Sequence, residues 1–285
     1  MTILTRRRIL LLCGLLVSSC VVACTSTLLY NHADWLLMRQ LDRYFDLTGP
    51  QQAFVSARLD AILARHRIEA LPRYEDTLQQ VHVRIQRGLT DDDLIWAFVQ
   101  YDRLRADLFA RFTQDGADFV RLVEEPQVLH LRGALHQRLA EEERLLRENV
   151  QTRLEKRRER ILSLANEWLG SVTQMQKQEI TRLAMAFPDT LPAWYAHQLR
   201  RHDQLVAVLE ARNTNGSADR LYRWLVDQEK DSDPQFLEAT RQLRRHIAQL
   251  VLTVDRLATS EQRRHVLYKL DDLAQTIHEL SRARS

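Results

Sequence analysis

Apolar residues recur every three or four positions along most of the chain. This spacing places them on one face of an α-helix, and no window shows the two-residue alternation that is typical of a strand. The clearest repeats occupy residues 236–257 and 266–280. Stripes of this kind suit antiparallel helices that cross at about 20°. The pattern therefore predicts an all-α protein, built from elongated antiparallel helical hairpins or a bundle.

Four further stripes predict the helices of the N-terminal part and the faces that these helices bury. They consist of Leu29, Ala33, Leu37, Leu41 and Tyr44; Val55, Leu59, Ile62 and His66; Leu71, Tyr74, Leu78, Val81 and Ile85; and Leu94, Ala97, Tyr101, Leu104 and Leu108.

Several stripes are preceded by Thr-x-x-Gln or by its acidic version, the capping box that starts a helix. In this motif the Thr hydroxyl accepts a hydrogen bond from the amide three positions later, and the side chain at that position accepts one from the Thr amide. The motif predicts helix starts after Thr48, Thr90, Thr173 and Thr259. The last of these joins the two final helices in a hairpin.

Glycine and proline are scarce, with seven and six residues in the whole chain, which favours long helices with tight connections. Residues 128–172 are predicted to form one long helical stretch with a break near Asn149. Residues 213–217 and 231–234 have the composition of loops. We interpret residues 24–285 as one helical domain, with a candidate subdomain boundary at 213–217.

The N-terminal segment has the order of a secretory signal peptide, in which positive charge is followed by apolar residues and then by small ones. Arg6, Arg7 and Arg8 precede an apolar run over residues 9–17. This run is shorter than the roughly 20 apolar residues of a membrane-spanning helix. We therefore expect residues 1–23 to be cleaved off, and an uncleaved membrane anchor is the alternative.

The end of this segment resembles the lipobox of bacterial lipoproteins. Residues 21–24, Val-Val-Ala-Cys, fit the pattern, and residues 17–20 fit it with Cys20 as the alternative lipid carrier. We favour Cys24 because it leaves a fuller apolar region before the cleavage site. The resemblance implies a diacylglycerol on the Cys24 sulfur and an acyl chain such as palmitate on its amino group. Ser26 implies passage to the outer membrane. An ordinary signal peptide with incidental cysteines is the other alternative.

Removal of the signal peptide changes the charge of the protein. The whole chain has 41 basic and 38 acidic residues, and three of the basic ones precede Cys24, so the mature chain is formally neutral. A neutral chain gives no basis for a nucleic-acid partner. Cys13 and Cys20 leave with the signal peptide and Cys24 carries the lipid, so no disulfide is predicted in an oxidising periplasm.

Motifs for metal binding and catalysis are missing from the sequence. The ten histidines form no HExxH motif, and neither a GxSxG motif nor a glycine-rich phosphate loop occurs. We therefore expect no metal, no cofactor and no catalytic residue. His66 and His202 lie on apolar stripes, where a buried and hydrogen-bonded histidine is expected. The five tryptophans are expected in the core, and a place at the membrane interface is the alternative for Trp35.

A recognisable series of short motifs follows Cys24. It consists of Tyr-Asn and Asp-Trp within residues 30–35, Leu-Asp-x-Tyr at 41–44 and Leu-Thr at 47–48. With these motifs the chain resembles a family of uncharacterised Gram-negative helical lipoproteins, and the similarity extends to Tyr74. The resemblance implies a lipoprotein with an all-helical fold and no assigned activity. Arg65 departs from the family pattern, which has Trp before the histidine.

Residues 47–51, Leu-Thr-Gly-Pro-Gln, are also similar to the Leu-Thr-x-x-Gln motif of small periplasmic helical chaperones and envelope-stress sensors. That similarity implies binding of client proteins. Helix capping alone produces the same motif, so its functional weight depends on where these side chains lie.

These observations favour a lipoprotein that is held at the outer membrane by its N-terminal lipid and faces the periplasm. We expect a non-enzymatic binding or structural role with envelope proteins as partners. The first alternative is chaperone-like holding of client proteins. The second is a hydrolase that uses His66, Arg67 and Glu69, and it requires these three side chains to converge in an open pocket.

Overall fold

The computed structural model describes residues 30–228 and 232–283. All regular structure in these two ranges is helical, as the sequence predicted, and no strand occurs in them. The helices are α1 (Ala33–Phe45), α2 (Gly49–Glu69), α3 (Leu71–Arg87), α4 (Asp91–Leu122), α5 (Glu125–Leu146), α6 (Val150–Leu169), α7 (Gln174–Met185), α8 (Leu191–Glu210), α9 (Ser217–Leu225), α10 (Pro234–Leu257) and α11 (Ser260–Arg282).

The helices begin where the capping motifs predicted. The hydroxyls of Thr90, Thr173 and Thr259 each accept from the amide three positions later, and α2 begins after Thr48. The predicted break near Asn149 is also confirmed, because its side chain caps α6 by accepting from the Gln151 amide at 2.8 Å.

The predicted packing face of α1 is wrong in its N-terminal half. Leu37 is 44% exposed and Trp35 is 55% exposed, whereas both were expected to pack inward. Met38 packs against the core instead, together with Leu41 and Tyr44, which the stripe predicted correctly. The reason is that α1 contacts α2 and α5, and the core against which it packs is met only by its C-terminal half.

Two buried glutamine pairs connect the capping boxes. Gln51 and Gln127 exchange hydrogen bonds between their amides at 2.9 and 2.7 Å. Each also donates to a helix-end carbonyl, Gln51 to Leu122 at 2.7 Å and Gln127 to Phe45 at 2.9 Å. The carbonyls at the ends of α1 and α4 therefore receive partners that their own helices cannot supply.

The same arrangement recurs in the C-terminal half. Gln176 and Gln262 exchange amide hydrogen bonds at 2.7 and 2.9 Å. Gln176 donates to the Leu257 carbonyl at 2.8 Å, and Gln262 donates to the Ser171 carbonyl at 2.6 Å. The two glutamines are 1% and 5% exposed, so these amides are satisfied only by one another and by the backbone.

The helices thus form two halves, α1–α5 and α6–α11, in which corresponding helices follow one another in the same order. The single long helix α4 of the first half corresponds to two helices, α9 and α10, in the second. Helix α1 packs against α2 and α5, and α6 likewise packs against α7 and α11. Helices α3 and α8, which follow in the two halves, both begin with Leu-Pro, at Leu71 and at Leu191.

The third helix of each half packs against the other half. Helix α3 packs most extensively against α11 of the other half, and α8 packs against α5. Arg244 on α10 also forms a two-pronged ion pair with Asp102 on α4, with both distances at 2.7 Å. Helix α9, which follows the exposed turn at 213–216, packs against both α4 and α8.

Candidate functional site: the His66 cluster and the α4–α10 groove

His66 lies between two tyrosines. The Tyr30 hydroxyl is 2.9 Å from Nδ1 of His66, and the Tyr74 hydroxyl is 3.4 Å from Nε2. Burial lowers the pKa of His66, and the nearby Arg111 lowers it further. Burial also raises the pKa of both tyrosines. All three side chains are therefore neutral at pH 7. A neutral imidazole can hydrogen-bond both tyrosine hydroxyls, because one ring nitrogen donates and the other accepts.

Arg67 and Glu69 of the hydrolase alternative contact groups other than His66. The Arg67 guanidinium lies 5.4 Å from the centre of the Tyr30 ring and donates to the Ala283 carbonyl at 3.2 Å. Glu69 forms an ion pair with Arg111.

A cavity of about 10 Å³ is lined by Ala70, Tyr74 and Arg111 among others, and its lining includes neither His66, Arg67 nor Glu69. A cavity of that size holds about one water molecule. The three side chains therefore lie at one end of α2, and this small cavity does not join them.

The two histidines of α8 differ from the expectation in one respect. The His197 ring stacks on Phe236 with 3.7 Å between the ring centres, and burial lowers the His197 pKa to about 4. Burial likewise lowers the His202 pKa to about 4. His202 was expected to be fully hydrogen-bonded, but its Nδ1 has no partner among the described residues. No group of three metal-ligating side chains occurs in residues 30–228 and 232–283.

A groove lies between the N-terminal part of α4 and the C-terminal part of α10. Its volume is about 440 Å³, within the range of ligand-binding clefts. Its apolar lining consists of Leu94, Ile95, Phe98, Ala248 and Leu252. The Ile95 side chain is 61% exposed, and Val99 beyond it on α4 is 53% exposed. Large apolar side chains therefore face solvent along this part of α4.

Arginines border the groove. Arg244, Arg245 and Arg256 line it, with Asp91 as the acidic residue of the lining. Arg244 is neutralised by Asp102. The Arg245 side chain is 65% exposed and meets Glu238 at 3.3 Å, a contact that water screens strongly. The rim of the groove therefore holds three arginines and one aspartate around an apolar floor.

The groove could not be derived from the sequence. Its two walls come from residues about 150 positions apart, and the stripes on α4 and α10 predicted burial for side chains such as Leu94 and Leu250 without indicating which ones stay open. The arginines of α10 could be seen in the sequence, but acidic neighbours along the chain gave them no particular role.

The proposed lipidation site, Cys24, and its alternative, Cys20, lie outside the described residues. In the part of the chain that the structure does describe, no helix combines the length and the apolar character needed to cross a bilayer.

A family model, described as a family of unknown function (DUF6279), matches residues 43–236. The chain belongs to this family. No curated protein and no solved structure matches the chain. The DUF6279 match contains His66, Tyr74 and the α4 side of the groove, whereas the arginines of α10 lie beyond its end. Family membership therefore agrees with an uncharacterised helical protein and assigns no activity to either site.

Proposed function

We propose that the protein is a lipoprotein, anchored in the outer membrane through Cys24 and facing the periplasm, that binds an acidic amphipathic helix of another envelope protein. The α4–α10 groove is the proposed binding site. The single observation that carries this proposal is the combination of an open apolar floor with a rim that holds three arginines and one aspartate.

The floor supports an apolar ligand face. Ile95 is 61% exposed, while Leu94 and Leu252 beneath it are buried at 8% and 9%. Covering this exposed apolar side chain with a second apolar surface stabilises the complex by roughly 25 cal/mol per Å² removed from water. A helix laid in the groove would provide that surface.

The rim supports an acidic ligand rather than a basic one. Arg245 and Arg256 line the groove, and Arg256 donates to the uncharged Thr253 hydroxyl at 3.1 Å. A carboxylate near these two guanidiniums gains a charge-assisted hydrogen bond, whereas a lysine there would be repelled.

The length of the site supports a short helix. Arg245 and Arg256 are 11 positions apart on α10, which corresponds to about 16 Å or three helical turns. A helix of about 14 residues with apolar positions at i, i+3 and i+7 therefore matches the floor, and glutamates at its flanks match the rim.

The membrane anchor is supported by the sequence. Residues 21–24 fit the lipobox, and the charges and apolar run before them fit a signal peptide. Mass spectrometry of the protein purified from membranes is expected to give an acylated N-terminal peptide that begins at Cys24. An unmodified N-terminus at another residue would refute the anchor.

The groove is tested with two labelled 14-residue amphipathic peptides that share one leucine pattern and differ in their flanking residues, glutamate in one and lysine in the other. Fluorescence anisotropy with the full-length protein is expected to give tighter binding of the glutamate peptide. The double variant R245E/R256E is expected to reverse this preference, because the rim charge is inverted.

The matched control is R182E on α7, where the Arg182 side chain is 62% exposed and lies outside the lining of the groove. It is expected to leave the preference for the glutamate peptide unchanged. Equal binding of both peptides by the wild type would refute the proposal and would favour chaperone-like holding of clients. The chaperone alternative has less support because Leu47 and Gln51 of its motif are buried at 6% and 5%.

A further inference from the structure

The first turns of α1 carry three consecutive large apolar residues that face solvent. Trp35, Leu36 and Leu37 are 55%, 39% and 44% exposed. Consecutive residues point about 100° apart around a helix, so these three cover more than half of its circumference. The other large exposed apolar residues of the described chain do not occur in consecutive runs. This stretch, which we call the Trp35 patch, is therefore uncovered on several sides at once.

The chain before the patch is held in place at Tyr30. The Tyr30 hydroxyl bonds His66 at 2.9 Å, and the Arg67 guanidinium covers its ring at 5.4 Å. Only six positions separate Tyr30 from Cys24. Six residues span at most about 20 Å, even when fully extended. Whatever holds Cys24 therefore lies close to this side of the molecule.

The distance from Tyr30 to the patch is also short. Trp35 follows Tyr30 by five positions, which is about 8 Å along a helix. If a lipid on Cys24 is embedded in a bilayer, the patch thus lies within about 30 Å of the point where the chain leaves that bilayer. The membrane surface therefore lies within reach of this patch.

We propose that the Trp35 patch inserts into the phospholipid interface of the membrane in which Cys24 is anchored. This inference rests on the lipid anchor of the proposed function. Indole rings favour the headgroup region because they combine an apolar body with one N–H donor. The Arg39 guanidinium lies 5.4 Å from the centre of the Trp35 ring, so a cation stands beside the indole where lipid phosphates would be met. The contacts of His66 with Tyr30 and Tyr74 hold the start of α1 against α2 and α3, and they thereby fix the position of the Trp35 patch.

The test uses the lipoprotein purified from membranes in detergent and reconstituted into phosphatidylcholine vesicles, with and without bromine on the acyl chains. Flotation on a density gradient reports anchoring, and tryptophan emission reports contact, because bromine quenches an indole only at close range. We expect the wild type to float and to lose emission in brominated vesicles. We expect Trp35→Phe to float equally and to lose that quenchable fraction.

The matched control moves the exposed indole to another place. Tyr268 on α11 is 69% exposed and lies 15 positions from Ala283, about 22 Å along the helix. In the double variant Trp35→Phe, Tyr268→Trp we expect flotation without quenching. Flotation of the wild type without quenching would overturn the membrane contact and leave the anchor intact, whereas failure to float would overturn both. Quenching that survives Trp35→Phe would also overturn the contact.

Discussion

Replacement of Gln176 by methionine is expected to destabilise the protein strongly, because this side chain makes four hydrogen bonds in a place that water does not reach. Its amide exchanges two bonds with Gln262, at 2.7 and 2.9 Å. Its Nε2 also donates to the Leu257 carbonyl at 2.8 Å, and its Oε1 accepts from the Thr173 amide at 2.9 Å. The side chain is only 1% exposed.

Methionine has a similar length and shape but offers neither an amide donor nor a carbonyl acceptor, so the substitution removes hydrogen bonds with little change in volume. A net contribution of about 1 kcal/mol for each bond, together with buried groups left without partners, gives a loss of about 3–5 kcal/mol. This is a large part of the total 5–15 kcal/mol by which proteins of this kind are stable.

Urea unfolding, followed by circular dichroism at 222 nm, measures the loss. The midpoint of Gln176→Met is expected to fall by about 1 M or more at an unchanged slope. Gln275→Met is the control, since Gln275 is exposed and its bond to Glu279 at 2.8 Å faces solvent; we expect a change below about 0.5 kcal/mol. The double variant Gln176→Met, Gln262→Met is expected to lose less than the sum of the two single variants, because each single variant also leaves the other amide unpaired.

Equal stability of Gln176→Met and Gln275→Met would refute this reasoning. It would mean that the paired amides contribute no more than an exposed glutamine, and that the carbonyls at the ends of the helices find other partners in solution.

Two further predictions concern a helix cap and the buried histidines. Thr259→Ala is expected to lower the free energy of unfolding by about 1 kcal/mol, and Thr259→Ser to preserve most of it because the hydroxyl remains; equal losses in both would contradict the capping role. For His197 and His202, the folded-state pKa of about 4 lies below the ordinary 6.5, so the unfolded chain binds more protons between these values and stability falls as the pH drops from 6.5 to 4. The slope is at most about 1.4 kcal/mol per pH unit for each histidine. His197→Phe should reduce this slope in urea titrations at several pH values, because the substitution removes one of the two titrating groups.

Local features of this protein follow directly from its sequence. The starts of α4, α7 and α11 lie at Thr90, Thr173 and Thr259, because a capping box depends on residues only three positions apart. The break at Asn149 follows for the same reason. The cap of α5 was not predicted: this helix begins after Glu124, whose amide donates to Gln127 at 2.9 Å, because a glutamate takes the place of the usual threonine.

The pairing of the boxes was decided by tertiary structure. The available sequence signal for this pairing was glutamine at the third helical position of all four paired boxes. An amide can donate and accept at once, whereas a glutamate only accepts, so two glutamines can bond each other. Nothing in the local sequence states that Gln51 meets Gln127 or that Gln176 meets Gln262, because those partners are 76 and 86 positions apart.

The functional surfaces show the same division. The sequence alone determined a helical chain with an apolar stripe on most helices, because the period of the stripe is a property of a single helix. Only the packing decided that α3 lies on α11, that Ile95 stays open beside the arginines of α10, and that Leu37 faces solvent while Met38 does not. Burial depends on which second helix covers a face, and the apolar stripe of one helix does not indicate which helix that is. Contacts between distant segments, rather than local spacing, therefore gave this protein both its groove and its exposed first helix.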